Sequence, residues 1–172
     1  MYFCSIASFL YTIILAEGFL ITYNTSWVMT MIKELGSFYL CNDNDFILSR
    51  CKQVNALLSN AYWVKDRDDE TMLRAMSNSI NYAVLESETQ RLVGYARVIT
   101  DFATMYYLCD VFIDESFRGM GLGTALVEYI ISDERLKALS GTLKTRDAQA
   151  LYQKFGFMES DVSCMLRIGS DG

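Results

Sequence analysis

The sequence predicts an α+β domain, and three observations carry that expectation. Hydrophobic residues make up 52% of the 172, enough for one sizeable core and too many for a disordered chain. Strand-period and helix-period segments follow one another as strand, two helices, three strands, helix, strand, helix and strand. The glycine-rich strand–loop–helix unit comes late, after an antiparallel run, whereas a doubly wound dinucleotide-binding chain would open with it.

Taken in order, residues 1–23 are apolar or neutral except for Glu17. A run near twenty residues is long enough to span a bilayer, but it lacks a positive n-region, and Glu17-Gly18 interrupts it. Three readings stay open for residues 1–30: a membrane anchor, a non-catalytic appendage such as a helix on the domain surface, or translation begun upstream of Met29 or Met31. The domain proper is placed at 31–172. Residues 37–41 form a short β-prone run, ended by the turn or N-cap cluster Asn42-Asp43-Asn44-Asp45. Apolar spacing predicts a helix over 46–63, and Asp68-Asp69-Glu70 opens a second. Residues 82–86 and 92–99 read as strands joined by a polar turn at 87–90. Residues 104–113 are apolar on both faces apart from Asp110, which marks a strand inside a sheet. After the glycine loop, Leu122, Ala125, Leu126, Tyr129 and Ile130 share one helical face. A short strand at 142–145, a helix capped by Asp147 and stopped by Gly156, and a closing strand near 162–168 complete the chain.

The composition excludes several function classes. Net charge is −6 and the fifteen basic residues are dispersed, so nucleic-acid binding, which draws its affinity from phosphate neutralisation, is disfavoured. There is no histidine, which removes Ser-His and Cys-His catalysis and most zinc sites. The five cysteines are odd in number and widely spaced, as expected of reduced thiols in the cytoplasm rather than a disulfide frame or a metal site.

The feature richest in chemistry is Arg118-Gly119-Met120-Gly121-Leu122-Gly123. Glycines let the backbone approach a ligand and adopt positive φ. The helix that opens here points unpaired N–H groups outward, and Arg118 adds a permanent charge suited to phosphate oxygens. A P-loop would need lysine where Leu122-Gly123-Thr124 has none, and a dinucleotide fingerprint would need glycine at Thr124. Both fail.

Arg118-x-x-Gly121-x-Gly123 after an apolar strand resembles the acetyl-CoA signature of the GNAT superfamily of N-acyltransferases. Ala150-Leu151-Tyr152-Gln153-Lys154-Phe155-Gly156-Phe157 resembles that superfamily's downstream segment, with Tyr152 lying 34 residues after Arg118. Tyr62-Trp63 and residues 94–101, 110–113 and 145–148 extend the likeness to a small, poorly characterised acetyltransferase subfamily over residues 37–168. The resemblance implies a mixed central sheet, mostly antiparallel with one splayed parallel pair, flanked by helices. It implies acetyl transfer from acetyl-CoA, without a metal, to a primary amine on a small molecule or peptide, by direct attack in a ternary complex. It further implies that Val111, Phe112 and Ile113 pair with the pantetheine arm, and that residues Arg118, Gly119, Met120, Gly121, Leu122, Gly123 and Thr124 hold the pyrophosphate.

Proton handling is the open part. A primary amine has a pKa of about 10 and must lose a proton before attack. Asp110 is the candidate base, with a buried carboxylate held by Arg97 or by backbone donors as the alternative. Asp101 and Asp147 are weaker candidates, Asp101 also as an acceptor contact. Tyr152 corresponds to the family's tyrosine beside the departing sulfur, where a hydrogen bond to the thiolate is the safer role. Tyr62 and Trp63 are candidates for lining the acceptor cleft, with core packing as the alternative. Gln149 stands where the related subfamily tends to carry histidine, Glu115-Ser116 replaces a common acidic-proline turn, and Lys144 occupies a position usually small. Competing readings are a catalytically silent CoA-binding sensor module and a membrane-tethered interaction protein. A homodimer is left open.

Overall fold

The computed structural model describes residues 11–14, 19–23, 29–64, 67–160, 165 and 167, with side chains from Ile32 onward. Eight strands form one sheet in chain order: β1 (Tyr11–Ile14), β2 (Phe19–Tyr23), β3 (Met29–Leu35), β4 (Phe38–Cys41), β5 (Ile80–Glu86), β6 (Leu92–Thr100), β7 (Met105–Ile113) and β8 (Ser140–Leu143). Every neighbouring pair is antiparallel except β7–β8, which is parallel. Helices α1 (Asn44–Leu48), α2 (Cys51–Leu58) and α3 (Asp69–Ser77) contribute to one core. Helices α4 (Leu122–Ile131) and α5 (Gln149–Gln153) contribute to the other. This is the mixed, mostly antiparallel sheet with one parallel pair that the resemblance implied.

Several local expectations are corrected. The N-terminal run supplies strands where a surface helix was one reading, since segments such as YTII and FLITY suit a pleated surface. Residue 30 lies within β3. Among the described residues no helix is long and apolar enough to cross a membrane. The single helix expected over 46–63 is two, α1 and α2. Ser49 competes for backbone partners at the break, its Oγ donating to the Phe46 carbonyl at 2.6 Å. Beyond Leu58 the chain turns rather than continuing as helix, which leaves Tyr62 and Trp63 on an irregular segment. Asp68 caps α3 as its position suggests, accepting from Thr71 N. Asp147 does not cap α5: the Thr145 hydroxyl accepts from Ala148 N at 3.0 Å. Gly156, at φ 81°, ends the following turn. The closing strand near 162–168 lies outside the described residues apart from Met165 and Arg167.

Two bulges reset which face each strand presents. Val84 pairs with Gly94 and Leu85 with Leu92, so Val93 is the extra residue on β6. On β7, Cys109 pairs with Arg97 and Phe112 with Tyr95, so Asp110 and Val111 together oppose Ala96. Strict alternation would send Phe112 to the same face as Tyr106 and Leu108. Instead Phe112 joins the core of α2 and α3, while Val111 and Ile113 pack against the core of α4. A Cβ on Gly94 would lie 2.5 Å from Ile113 Cδ1 and 2.9 Å from Val84 Cγ2, so this crossing requires glycine.

Candidate acyl-donor and acceptor site

β8 pairs with β7 only from Met105 to Leu108. From Cys109 to Ile113 the outer edge of β7 has no strand partner among the described residues. The bulge sits at the point of divergence, and a bulge bends its strand. Residues 111–113, expected to pair with an extended ligand arm, are thus on an open edge that can accept an added strand.

The edge runs directly into the glycine loop. Asp114 caps a 3₁₀ turn (Glu115–Phe117) by accepting from Ser116 N, and Arg91 pairs with it at 2.7 Å. Gly119 and Gly121 take φ of 80° and 79°, a region that disfavours any residue with a Cβ. Gly121 is the N-cap of α4, and the first helical bond runs from Ala125 N to the Gly121 carbonyl. The N–H groups of residues 119–124 therefore find no acceptor among the described residues. They form a concentrated donor patch at the positive end of a helix dipole, the arrangement that binds phosphate. Arg118 stands beside it, donating from Nε to the Ile113 carbonyl at 3.3 Å, pairing with Glu115 at 3.2 Å and lying 5.4 Å from the Phe112 ring centroid. The ten residues expected to hold the donor, Val111 to Ile113 and Arg118 to Thr124, thus lie on one edge and the loop that continues it.

Across from this edge, Tyr62 and Trp63 are 48% and 43% exposed, too open for the core-packing alternative. Trp63 meets the Phe112 ring at 6.0 Å, and Tyr62 meets Trp63 at 4.8 Å, both edge-to-face. Arg146, from the segment after β8, stacks on Tyr62 at 3.8 Å. The two aromatics form a wall beside the strand that carries the bulge.

Asp110 is 6% exposed, and its environment argues against a base. Arg67 Nη1 lies 2.8 Å and Arg97 Nε 2.5 Å from the same carboxylate oxygen. Burial pushes the carboxyl up, but the Arg67 hydrogen bond and the charge and hydrogen bond of Arg97 outweigh it, leaving the pKa below the ordinary carboxylate value. A carboxylate so stabilised as an anion is a poor proton acceptor. The alternative of a buried carboxylate held by Arg97 describes the geometry, with Arg67 as a partner that sequence reading missed.

Asp101 lies away from this edge. It sits in the β6–β7 turn, at the opposite end of β7 from Ile113, where one oxygen accepts from the N–H groups of Ala103, Thr104 and Met105. The other accepts from the Thr104 hydroxyl at 2.5 Å. Those bonds hold its pKa well below the usual carboxylate range and leave little for substrate.

Tyr152 projects from α5 into the α4-side core, 8% exposed, with Phe157 at 5.9 Å between ring centroids. Its hydroxyl has no hydrogen bond to other described residues. Burial, reinforced by the Asp147 charge, pushes its pKa up to about 12. It also lines a groove of about 1370 Å³ beyond β8, bounded by Tyr106, Lys144, Phe155 and Ser160 among others and separate from the glycine loop. Cys109, beside the Asp110 cluster, is pushed by burial up to about 11, so it carries little nucleophilic thiolate. Among the described residues no group of His, Cys, Asp and Glu could hold a metal ion.

Comparison with known proteins agrees with this architecture. The family profile for the acetyltransferase (GNAT) domain matches residues 78–159. A GNAT-family protein from Xanthomonas campestris pv. campestris is 31% identical in sequence and superposes with a TM-score of 0.70, over 79% of this chain and 96% of that one. The uncharacterized N-acetyltransferase ycf52 of Porphyra purpurea is 29% identical over 130 residues, 73% of each chain. A Clostridium acetobutylicum protein solved with acetyl-CoA shares the fold at 16% identity, with a TM-score of 0.58 over 76% of this chain and 94% of its own. The chain belongs to the GNAT superfamily of acetyltransferases.

Proposed function

We propose that the chain transfers an acetyl group from acetyl-CoA to a primary amine of a small molecule or peptide, by direct attack in a ternary complex. The observation that carries the reading is the continuity of a β7 edge, unpaired among the described residues, with the N–H groups of residues 119–124. A pantetheine arm lies along Val111 to Ile113 as an added strand, and its pyrophosphate accepts from the loop amides and Arg118. That arrangement sets the thioester near the bulge, facing the Tyr62–Trp63 wall. The neutral amine attacks the carbonyl carbon, the C–N bond forms, and the C–S bond breaks to release the CoA thiolate. The amine proton passes to solvent, since Asp110 is held as an anion by two guanidinium groups. Tyr152 hydrogen-bonds the departing sulfur without surrendering its proton. A phenol of pKa about 12 protonating a thiolate of pKa about 8.5 would run uphill by about 5 kcal/mol. The raised pKa of Cys109 favours direct attack over an acyl-cysteine intermediate. The free thiols of Cys41, Cys51 and Cys109 suit a reducing, cytoplasmic setting.

Thiol release from acetyl-CoA across a panel of primary amines tests the reading. Amine-dependent release with intersecting initial-rate lines is expected. Parallel lines would rule out the ternary complex, and tight CoA binding without release for any amine would favour the sensor module instead.

A further inference from the structure

Asp110 combines two properties that local sequence does not require together. It takes φ 53°, in the left-handed region that non-glycine residues avoid, with aspartate among the few that tolerate it. It also receives two guanidinium groups from distant parts of the chain. Arg97 reaches across from β6 and extends Nη1 to Ser79 Oγ at 3.3 Å. Arg67 comes from the segment between α2 and α3, where Asn55 Nδ2 donates to its carbonyl at 3.0 Å. That segment also carries Tyr62 and Trp63. A strand, a helix-linking segment and the bulge itself thus meet at one carboxylate oxygen, where β7 leaves β8.

We propose that Asp110 is a positioning residue: the grip of Arg67 and Arg97 on its carboxylate fixes the β7 bulge and ties the donor-binding edge to the Tyr62–Trp63 acceptor wall. The proposal rests on the acetyl-transfer reading above. The bulge decides where the backbone of Val111 and Phe112 points, and an oxyanion donor or strand partner loses value steeply when displaced by about 1 Å. Left-handed backbone without the grip is too loose to hold that aim, and the grip without left-handed backbone cannot form the bulge.

Four variants separate these elements. Asp110→Gly keeps the backbone conformation and deletes the grip. Asp110→Asn keeps the shape, the tolerance for positive φ and one hydrogen-bond acceptor. Arg67→Ala removes one arm, and Arg67→Lys restores its charge. We expect Asp110→Gly and Arg67→Ala each to lower kcat about ten- to a hundredfold, with acetyl-CoA Kd within about threefold of the parent. The double variant should be no worse than the poorer single, since both break one device. Asp110→Asn and Arg67→Lys should each recover a substantial part of the loss, with the acidic limb of the pH–rate profile unmoved.

Hydrogen exchange supplies a readout independent of turnover. Peptides covering residues 109–113 and 61–64 should exchange at least about tenfold faster in Arg67→Ala, while α4 is unchanged. Wild-type kcat in Asp110→Gly, or exchange confined to one of the two segments, would overturn the proposal. Loss of the acidic limb in Asp110→Asn would overturn it by making Asp110 the proton acceptor. Absence of turnover in the wild type would sink the acetyl-transfer reading alone, and the exchange arm would still judge the coupling. Should Asp110→Gly fail to fold, Arg67→Ala carries the test, since the Arg67 side chain is 20% exposed.

Discussion

The Arg118 guanidinium is held at the mouth of the glycine loop from two sides, by the Ile113 carbonyl at 3.3 Å and by the Phe112 ring at 5.4 Å. Replacing it with glutamate removes a cation and adds an anion where a pyrophosphate would bind. A charge-assisted hydrogen bond contributes about 1.5–3 kcal/mol, and a new carboxylate near a phosphate at this open site adds about 1 kcal/mol of repulsion. The sum, about 2.5–4 kcal/mol, corresponds to a loss of acetyl-CoA affinity of roughly 60- to 900-fold. The fold should be nearly indifferent. The pair lost with Glu115 joins side chains 53% and 72% exposed, and such pairs are worth about 0–1 kcal/mol. Calorimetric titration of wild type and Arg118→Glu, with thermal melts of both, reads the two quantities separately. A variant Kd within threefold of the parent would refute the assignment of the loop, as would a loss of binding explained by unfolding.

Further expectations follow from the same geometry. Gly121→Val meets nothing within 4 Å of its Cβ, so its damage comes from φ 79° alone. It should lower stability by about 1–2 kcal/mol in a denaturant titration and weaken acetyl-CoA further by crowding the donor patch. Tyr152→Phe keeps the ring packed against Phe157 and should cut kcat several-fold with an unchanged KM for acetyl-CoA. An equal loss in both would make Tyr152 a packing residue. Tyr82→Phe deletes the hydroxyl that donates to buried Asp133 Oδ2 at 2.8 Å and should cost about 1–3 kcal/mol by urea unfolding. Folded Asp110 and Asp133 both have pKa values below the ordinary carboxylate value. Their contribution is therefore full above the unfolded pKa of about 3.9 and is lost as pH falls through the lower folded values. Denaturant-measured stability should drop below about pH 4, and a rise on acidification from pH 5 to 3 would contradict the stabilisation of these two carboxylates as anions, Asp110 by Arg67 and Arg97 and Asp133 by Arg135.

Much of the geometry of the candidate donor site is legible along the chain because its information is local. Gly119, Gly121 and Arg118 act through their own φ angles, amides and charge, all within one turn of the helix they precede. The bulge on β7 is not legible for a definite reason. Residues 104–113 are apolar on both faces, so a shift of one residue leaves the hydrophobic pattern unchanged, although it moves Phe112 from one core to the other. Arg67 is hidden by separation, lying 43 residues from Asp110. Asp147 fails as a helix cap because the N-cap position is Ala148, and α5 opens with no side-chain cap, while Thr145 accepts from Ala148 N in the turn before it. Asp101 is a strand-end acid that spends its acceptors within its own turn, which its position in the sequence does not reveal. The break between α1 and α2 turned on one serine hydroxyl that no apolar periodicity records.

The edge of β7 that has no strand partner among the described residues has a consequence for the protein's life in the cell. An open run of backbone donors and acceptors inside a sheet is a place for a second copy of the chain to add its own strand, and so a route to aggregation. Acetyl-CoA lying there as a surrogate strand, as proposed, would cover that route. At a hundredfold excess over its Kd it would also raise folding stability by about 2.7 kcal/mol. On the proposed reading, soluble yield and cellular half-life should follow the acetyl-CoA supply, making the amount of active protein a readout of the donor pool as well as of its own synthesis.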